Sequence, residues 1–231
     1  MEYTINIKGH LMDLSTPQVM GILNVTPDSF YSGSRKQTEM EIAQRANQII
    51  EEGGSIIDVG AFSTRPGADE VSEEEEGRRL KFALDIVRRE QPDAAVSVDT
   101  YRPTLARKCI EEWGADIIND VSEGGITGIA NVPLEQRQEE YPEMFRVVGE
   151  LKVRYILMSV QPTLETMMKG FAREVQQLRD LGAKVEDEDF GVLHGSKKKK
   201  PEHRAAWVRA CGGTKKRSVG AVVGRFLGDL H

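Results

Sequence analysis

Residues 20–30 read MGILNVTPDSF, and this stretch changes within eleven residues from an apolar run to a polar turn. The apolar part predicts a buried strand. Asn24 near its end and the TPDSF segment after it predict polar groups where that strand stops. The function of these groups depends on what the neighbouring strands carry at the same end.

The same alternation of strand and helix recurs along the first 184 residues. Four further apolar stretches predict strands: residues 55–62, 94–100, 116–122 and 153–160. Each predicted strand is followed by an amphipathic stretch that predicts a helix. These stretches are residues 38–54, 72–90, 102–114, a segment near 134–150, and 163–182. Strands and helices in this order predict parallel βαβ units. Residues 4–15 alternate with period two around Gly9 and predict a β-hairpin ahead of them.

Each of the first four predicted strands ends on polar side chains: Asn24, Asp58, Asp99 with Thr100, and Asn119 with Asp120. Any one of them alone is better explained as a helix cap or a turn residue. Four strand ends together favour a site, because barrels and open α/β sheets both bind ligands there. No G-x-G-x-x-G or Walker A motif is present in the sequence, so a β/α barrel is favoured over a Rossmann sheet.

The chemistry of these strand ends is that of carboxylates and carboxamides. The four histidines lie elsewhere in the sequence, which argues against a transition-metal site and a histidine-activated nucleophile. An ionised carboxylate only accepts hydrogen bonds, whereas an amide both donates and accepts. The pair therefore suits a heterocycle with adjacent N–H donors and a carbonyl, such as a pterin.

The composition bounds the class of protein. A chain of 231 residues with 39% hydrophobic and 29% charged residues predicts one large domain. It has no apolar run of about 18 residues and no signal-peptide pattern, so we expect a cytoplasmic protein without a membrane partner. Cys109 and Cys211 have no metal-ligand spacing and are expected to be free thiols.

Five motifs together resemble dihydropteroate synthase of the pterin-binding family. They are MGILNVTPDSF, IIDVGAFSTRPGA, SVDTYRP, DIINDVS and the LM pair after the fifth strand, and they cover residues 1–184. The resemblance implies a (β/α)₈ TIM barrel. It also implies an enzyme that joins 6-hydroxymethyl-7,8-dihydropterin pyrophosphate to p-aminobenzoate, with release of pyrophosphate. A homodimer is the assembly that the family implies.

The resemblance also implies roles for the first set of residues. Asn24 matches the ligand of a Mg²⁺ ion that contacts the pyrophosphate, which fits the preference of Mg²⁺ for oxygen ligands. Thr64 and Arg65, in the STRPG loop, are expected near the p-aminobenzoate. Asp58 is expected to support the floor beneath, and we group these last three as catalytic.

Three more residues are expected to bind the pterin. Asp99 and Asn119 match the family residues that hold the pterin ring nitrogens, and Met158 is expected to line the pocket wall. The residue types fit a reaction driven by electrostatic preorganisation and loop closure, without a covalent enzyme intermediate.

The resemblance stops near residue 184. The family's Asp-Pro-Gly, Ser-Arg-Lys and Arg-x-His strand ends are not found in residues 185–231. This segment is rich in Gly, Lys and Arg. Residues 191–231 hold 10 of the 31 Lys and Arg of the chain but 2 of its 37 Asp and Glu. The 49 residues after Gly182 are too few for three βα units of about 30 residues each. We therefore predict an incomplete barrel over 1–184, with five βα units plus the hairpin, and a basic tail over 185–231.

Several functions stay open at this stage. The first alternative is an active synthase, whose site a partner chain could complete. The second is a truncated or frameshifted family member with little or no activity. The third is a basic-tailed binding protein. A pterin-binding methyltransferase relative shares the barrel but lacks the STRPG loop, which argues against it. Nucleic acid is not an expected partner, because the sequence has no nucleic-acid-binding motif and no aromatic platform beside the lysines.

Overall fold

The computed structural model describes residues 4–14, 18–25, 35–62, 71–122, 124, 141–157, 163–183, 191–192 and 206–207. The strands are β1 (Thr4–Ile7), β2 (His10–Asp13), β3 (Met20–Asn24), β4 (Ile56–Gly60), β5 (Ala95–Asp99), β6 (Ile117–Asp120), β7 (Arg154–Leu157), β8 (Gly191–Val192) and β9 (Ala206–Trp207). The helices are α1 (Arg35–Glu51), α2 (Glu73–Glu90), α3 (Pro103–Glu111), α4 (Glu143–Leu151) and α5 (Leu164–Asp180).

The central element is a parallel sheet in which strand order follows chain order, β3-β4-β5-β6-β7. Among the described residues, one helix lies between each pair of successive strands, as the sequence predicted. A doubly wound sheet would reverse its strand order at a switch point, whereas a barrel wall runs in one direction around the axis. The described sheet thus supplies five strands of a barrel-type wall, which confirms the predicted fold class.

The helices cover one face of this sheet. The alternate strand residues on that face, such as Leu23, Val59 and Val98, are buried against apolar helix residues such as Leu80 and Phe145. Strands buried on both faces read as continuous apolar runs, which is why the apolar stretches of the sequence predicted them. The helix face therefore holds the main core, and the opposite face is left for the barrel interior.

The predicted hairpin lies under the amino-terminal end of the barrel interior. Lys8 and Gly9 both have positive φ angles, 50° and 88°, as the tight turn between paired antiparallel strands requires. Ile5 and Ile7 pack in one apolar cluster with Met20 and other residues of the sheet. Since the hairpin closes this end, a ligand has access at the other end, where the strands stop.

An ionic cluster fixes the hairpin to the sheet. Asp116 pairs with Lys8 Nζ at 2.9 Å and with Arg88 at 2.5 Å, and its Oδ2 accepts the Val96 N–H at 2.9 Å. Arg88 also donates to the carbonyls of Ala94 and Gly114. This cluster is structural, because it lies at the end of the sheet opposite the polar strand ends.

Two features differ from the sequence prediction. The fourth helix begins at Glu143 rather than near residue 134, and residues 125–140 lie outside the described part. Within residues 185–231, β8 and β9 pair antiparallel and β9 lies beside β7; the sequence predicted no strands there. The domain division at residue 184 stays a prediction. None of the described helices combines the length and apolar character needed to cross a membrane.

Candidate ligand site at the carboxyl ends of the strands

The strand register brings the predicted polar residues into one row. Asn24 pairs with Gly60, Gly60 with Asp99, Asp99 with Asn119, and Asn119 with Ile156. Residues level with one another in a parallel sheet point to the same face. The row therefore places two carboxamides and a carboxylate on the barrel-interior face, at the carboxyl ends of four neighbouring strands.

A second row, two residues deeper, forms the floor. It contains Asp58 level with Ile22 and Ser97. Asn119 Nδ2 donates a hydrogen bond of 3.0 Å to Asp58 Oδ2, and both side chains are buried. This hydrogen bond links the floor to the upper row. It orients the Asn119 amide so that its Nδ2 group faces the floor.

Three buried polar atoms of the site lack a hydrogen-bond partner among the described residues, namely Asp58 Oδ1, Ser97 Oγ and the Asn119 carbonyl oxygen. Among the described residues, Asn119 Oδ1 is buried and has no hydrogen-bond partner. A buried acceptor without a donor costs about 1–3 kcal/mol. A ligand with an N–H group at this position would supply the donor.

Gly60 keeps the middle of the row flat. A Cβ atom at Gly60 would lie 3.0 Å from Asn24 Oδ1 and 3.7 Å from Asp99 Oδ2. Without that atom, a planar ring has room to approach the backbone between the two side chains. Gly60 was not among the predicted site residues, although a glycine that ends a buried strand is a signal for close approach to the backbone.

Several carboxyl groups crowd around the row. Burial, together with the nearby Asp58, Asp120 and Glu76 carboxyls, raises the pKa of Asp99 well above its usual range. Burial also raises the pKa of Asp58 to about 6, although the Ser97 hydroxyl and the Asn119 amide oppose the rise. A site with this charge favours a ligand that presents hydrogen-bond donors to the carboxylates.

Asp120 does not belong to the site, although it ends the same strand as Asn119. It points to the helix face, where its carboxylate accepts from Ser122 N–H and Oγ–H, Gly124 N–H and Tyr155 O–H, at 2.5–2.8 Å. All four donors bind a fully buried carboxylate. Asp120 thus holds the chain that leaves β6.

A second network lies behind Asp99. Glu76 of α2 is fully buried, accepts a 2.7 Å hydrogen bond from Thr100 and pairs with Arg102 Nε at 2.8 Å. Burial raises the pKa of Glu76, and the hydrogen bond from Thr100 opposes that shift. Glu76 and Arg102 were not predicted from the sequence, because a run of four glutamates at a helix start resembles a solvated first turn.

The remaining predicted site residues are Thr64, Arg65 and Met158. Thr64 and Arg65 lie in residues 63–70, and Met158 in residues 158–162, outside the described part. Their roles stay predictions. Asn24, Asp58, Asp99 and Asn119 are brought together as the sequence predicted.

The residues fit one magnesium ligand rather than a protein-made metal cage. Asn24 is exposed at the end of β3, and its Oδ1 and Asp99 Oδ2 lie on either side of Gly60. Within the described residues no group of three His, Cys, Asp or Glu side chains could hold a metal ion. Mg²⁺ usually takes one or two protein oxygens and completes its coordination with water and substrate phosphate. The Asn24 and Asp99 oxygens can supply the protein ligands.

The floor carboxyl gives a first testable prediction. In the unfolded chain Asp58 ionises near 3.8, but in the folded protein near 6. As pH rises between these values, the unfolded chain loses its proton first, so folding stability falls and stays lower above pH 6. We expect Asp58→Asn to stabilise the protein by about 1–3 kcal/mol at pH 7 and to have little effect below pH 4.

Urea denaturation at pH 4 and pH 7 measures this difference. Asp85→Asn is the matched control, because Asp85 is an exposed α2 carboxylate paired with Lys81. The control should change stability by less than about 1 kcal/mol at either pH. Equal destabilisation by Asp58→Asn at both pH values would contradict the expected titration.

The fold and the site define an α/β protein of the barrel class with a ligand site at the carboxyl ends of its strands. Comparison with protein families gives the narrower assignment: residues 20–190 match the model of the pterin binding enzymes. The chain therefore belongs to the pterin-binding enzyme family, as the sequence motifs indicated.

Named relatives agree with this assignment. The chain is 46% identical over 114 residues to dihydropteroate synthase of Escherichia coli K12, which is 49% of this chain and 40% of the relative. It is 36% identical over 175 residues to that of Staphylococcus haemolyticus, 73% of this chain and 59% of the relative. The solved Xanthomonas albilineans dihydropteroate synthase with 4-aminobenzoic acid superposes with a TM-score of 0.63 at 28% identity, over 79% of this chain and 63% of that one. The chain thus spans less than two thirds of these relatives.

Proposed function

We propose that this chain binds a dihydropterin at the Asn24–Asn119 row and carries the pterin half of a dihydropteroate synthase site. The observation that carries the proposal is the Asn119 amide. Its Nδ2 is committed to Asp58, while its Oδ1 is buried without a donor among the described residues. The adjacent N–H groups of a pterin would supply that donor and would also donate to Asp99.

The substrates follow from the family and the chemistry of the row. The pterin ring would lie over Gly60, with Asp99 and Asn119 on its polar edge and Asp58 supporting Asn119 from below. Thr64 and Arg65 would contact p-aminobenzoate, and Met158 would line the pocket wall. The relatives named as dihydropteroate synthases favour this reaction over that of a pterin-binding methyltransferase.

The reaction would transfer the pterin methylene group. Its C–O bond to pyrophosphate breaks, a C–N bond to the amine of p-aminobenzoate forms, and the amine loses a proton. Positive charge grows on the pterin as pyrophosphate leaves, so the Asp99 carboxylate, already in place, would stabilise it. No covalent bond to the protein is needed, since positioning two substrates in line supplies much of the rate.

Magnesium would join this site through Asn24. The Asn24 carboxamide oxygen would hold the ion beside the pyrophosphate. When bound, Mg²⁺ neutralises charge on the leaving pyrophosphate.

Three other sequence predictions keep their status. The chain is predicted to form a homodimer and to be cytoplasmic. Its basic tail is predicted not to bind nucleic acid. Sedimentation of the purified chain is the direct measurement of the assembly.

The test of the proposal uses two proteins. One is the full chain, and the other replaces the residues after 184 with the corresponding carboxyl-terminal part of the Escherichia coli relative. Pyrophosphate release is measured with both substrates and with each one omitted. A folded chimera that shows neither turnover nor pterin affinity would overturn the proposal. Turnover by the chimera but not by the full chain would mean that residues 1–184 carry the pterin half of the site and that the residues after 184 cause the loss of activity.

Arg65 gives a second prediction within this experiment. In whichever of the two proteins turns over, Arg65→Ala is expected to raise the KM for p-aminobenzoate by about tenfold, as loss of a charge-assisted hydrogen bond would. Pterin affinity should stay nearly unchanged, because the pterin lies on other strand ends. A variant that loses pterin affinity but keeps its KM for p-aminobenzoate would refute the role of Arg65.

A further inference from the structure

Thr100 directly follows Asp99 at the end of β5, and the proposed function gives its side chain no role. The side chain is buried, with the residue 2% exposed. Its hydroxyl donates a 2.7 Å hydrogen bond to Glu76 Oε1 of α2 and accepts one of 3.2 Å from the Arg102 backbone N–H. The hydroxyl therefore ties the end of β5 to a helix, on the side of the sheet away from the ligand row.

The backbone of Thr100 joins the two residues that are proposed to bind the pterin. Its N–H donates a 3.2 Å hydrogen bond to the Asn119 carbonyl oxygen, and Asp99 is its neighbour in the chain. The register of β5 with β6 runs as far as Asp99 and Asn119, so this hydrogen bond lies one step beyond the row. A shift of the chain at Thr100 would therefore change the separation of the Asp99 and Asn119 side chains.

The group that holds the Thr100 hydroxyl is fixed in turn. Glu76 is fully buried in the first turn of α2, and its Oε2 pairs with Arg102 Nε at 2.8 Å. Arg102 Nη2 also donates a 2.6 Å hydrogen bond to the Val71 carbonyl oxygen, next to the residue that caps α2. Because a buried carboxylate paired with a guanidinium has a defined geometry, Glu76 gives the end of β5 a fixed point of attachment.

We propose that Thr100 is a positioning residue for pterin binding: anchored on Glu76, it fixes the separation of Asp99 and Asn119 in the ligand row. The proposal rests on the proposed function, because that function assigns the pterin to these two side chains. Thr100 does not touch the ligand and acts through the backbone at the ends of β5 and β6. A ligand that donates to both side chains at once needs their positions held to within about 0.5 Å.

A purely structural role for Thr100 predicts a different result. If the hydroxyl only joined α2 to the sheet, its removal would lower the melting temperature and leave the pterin affinity of the folded protein unchanged. A positioning role predicts a loss of affinity that is reversed when the hydroxyl is restored. Thr100→Val removes the hydroxyl and keeps the branched shape, whereas Thr100→Ser keeps the hydroxyl.

The experiment titrates 6-hydroxymethyl-7,8-dihydropterin into the unmodified full chain and into both variants by calorimetry, each well below its own melting temperature. We expect Thr100→Val to bind about tenfold more weakly, the effect of one lost hydrogen bond to the ligand. Thr100→Ser should bind within about twofold of the unmodified chain, because it keeps both hydrogen bonds of the hydroxyl.

Tyr155→Phe is the matched control. Tyr155 is also buried, and its hydroxyl donates to a buried carboxylate on the helix side of the sheet, that of Asp120, at 2.6 Å. Its loss should lower the melting temperature but leave pterin affinity unchanged. The control therefore separates the loss of a buried hydroxyl from the loss of the Thr100 hydroxyl in particular.

Amide hydrogen exchange at residue 100, followed by NMR, gives a second readout that needs no ligand. This amide donates to Asn119, and the amides of Val98 and Ile118 in the same pair of strands serve as the internal reference. After correction for the intrinsic rate of the new side chain, exchange at residue 100 should be about tenfold faster in Thr100→Val, the effect of one lost hydrogen bond. It should return to the unmodified rate in Thr100→Ser.

Glu76→Gln covers the case in which Thr100→Val does not fold. Its amide oxygen is an uncharged and therefore weaker acceptor for the Thr100 hydroxyl. Exchange at residue 100 should become faster and pterin affinity should fall in the same variant. Faster exchange with unchanged pterin affinity would contradict the proposal.

Two further outcomes would overturn the role of Thr100. One is unchanged pterin affinity in folded Thr100→Val, and the other is a Thr100→Ser variant that binds as weakly as Thr100→Val. Failure of the proposed function looks different, because the unmodified chain and the chimera would then both lack pterin affinity. Failure of this proposal alone leaves the unmodified chain binding the pterin and Thr100→Val binding it equally well.

Discussion

Asparagine in place of Asp99 is expected to weaken the binding of a pterin by about 1–3 kcal/mol, between about fivefold and 150-fold. In the proposed complex the carboxylate would accept from ligand N–H groups without offering a donor in return. An amide of the same shape turns one acceptor into a donor, which then faces a ligand N–H. The loss therefore combines a weaker hydrogen bond with a mispaired one.

The pH dependence of binding tests the same residue independently. Burial and the neighbouring carboxyls raise the pKa of Asp99, so its acceptor form is lost as pH falls through that raised value. Pterin affinity of the unmodified protein should fall with it, while that of Asp99→Asn should depend less on pH. Calorimetric titration across pH measures both curves.

The matched control for this variant is again Asp85→Asn, which removes a carboxylate that lies away from the row. Its pterin affinity should equal that of the unmodified protein. Asp99→Asn should not lower the melting temperature, since it removes a charge from a crowded acidic site. Equal pterin affinities for Asp99→Asn and the unmodified protein would remove Asp99 from the site.

Much of the fold could be predicted because its strands and helices have distinct periods. Apolar strands and amphipathic helices alternate, so element type, order and parallel pairing followed from the sequence. The start of the fourth helix could not be placed, because residues 125–140 lack a clear apolar period and carry several polar residues before Pro142. The short strands β8 and β9 were missed for a related reason: two-residue strands give no period to detect.

The site was predictable as a location but less so as a set of roles. The strand ends indicated Asn24, Asp99 and Asn119 as candidate site residues, and strand alternation places Asn119 and Asp120 on opposite faces of the sheet. The Glu76–Arg102 pair could not be found this way. Its partners are 26 positions apart in sequence, and only the packing of α2 against the end of β5 brings them together.

The most destabilising change expected at the strand ends is Asp120→Ala. Four hydrogen bonds converge on this buried carboxylate, two of them from backbone N–H groups. Alanine would leave the donors of Ser122, Gly124 and Tyr155 without their acceptor. Each buried orphan costs about 1–3 kcal/mol, and we expect a loss of about 3–5 kcal/mol after partial relaxation, a large part of a typical stability of about 5–15 kcal/mol.

Thermal melting and urea denaturation measure this loss, which should lower the melting temperature by about 10 °C in a chain of this size. Tyr155→Phe is the comparison variant, because it removes one donor and leaves three on the carboxylate; its cost should be about 0.5–1.5 kcal/mol. The two aspartates then behave oppositely: Asp99 governs ligand affinity at little cost to folding, and Asp120 governs folding. If Asp120→Ala melted like the unmodified protein but lost pterin affinity, Asp120 would act in the ligand site, and the division of the β6 end into a ligand face and a helix face would be wrong.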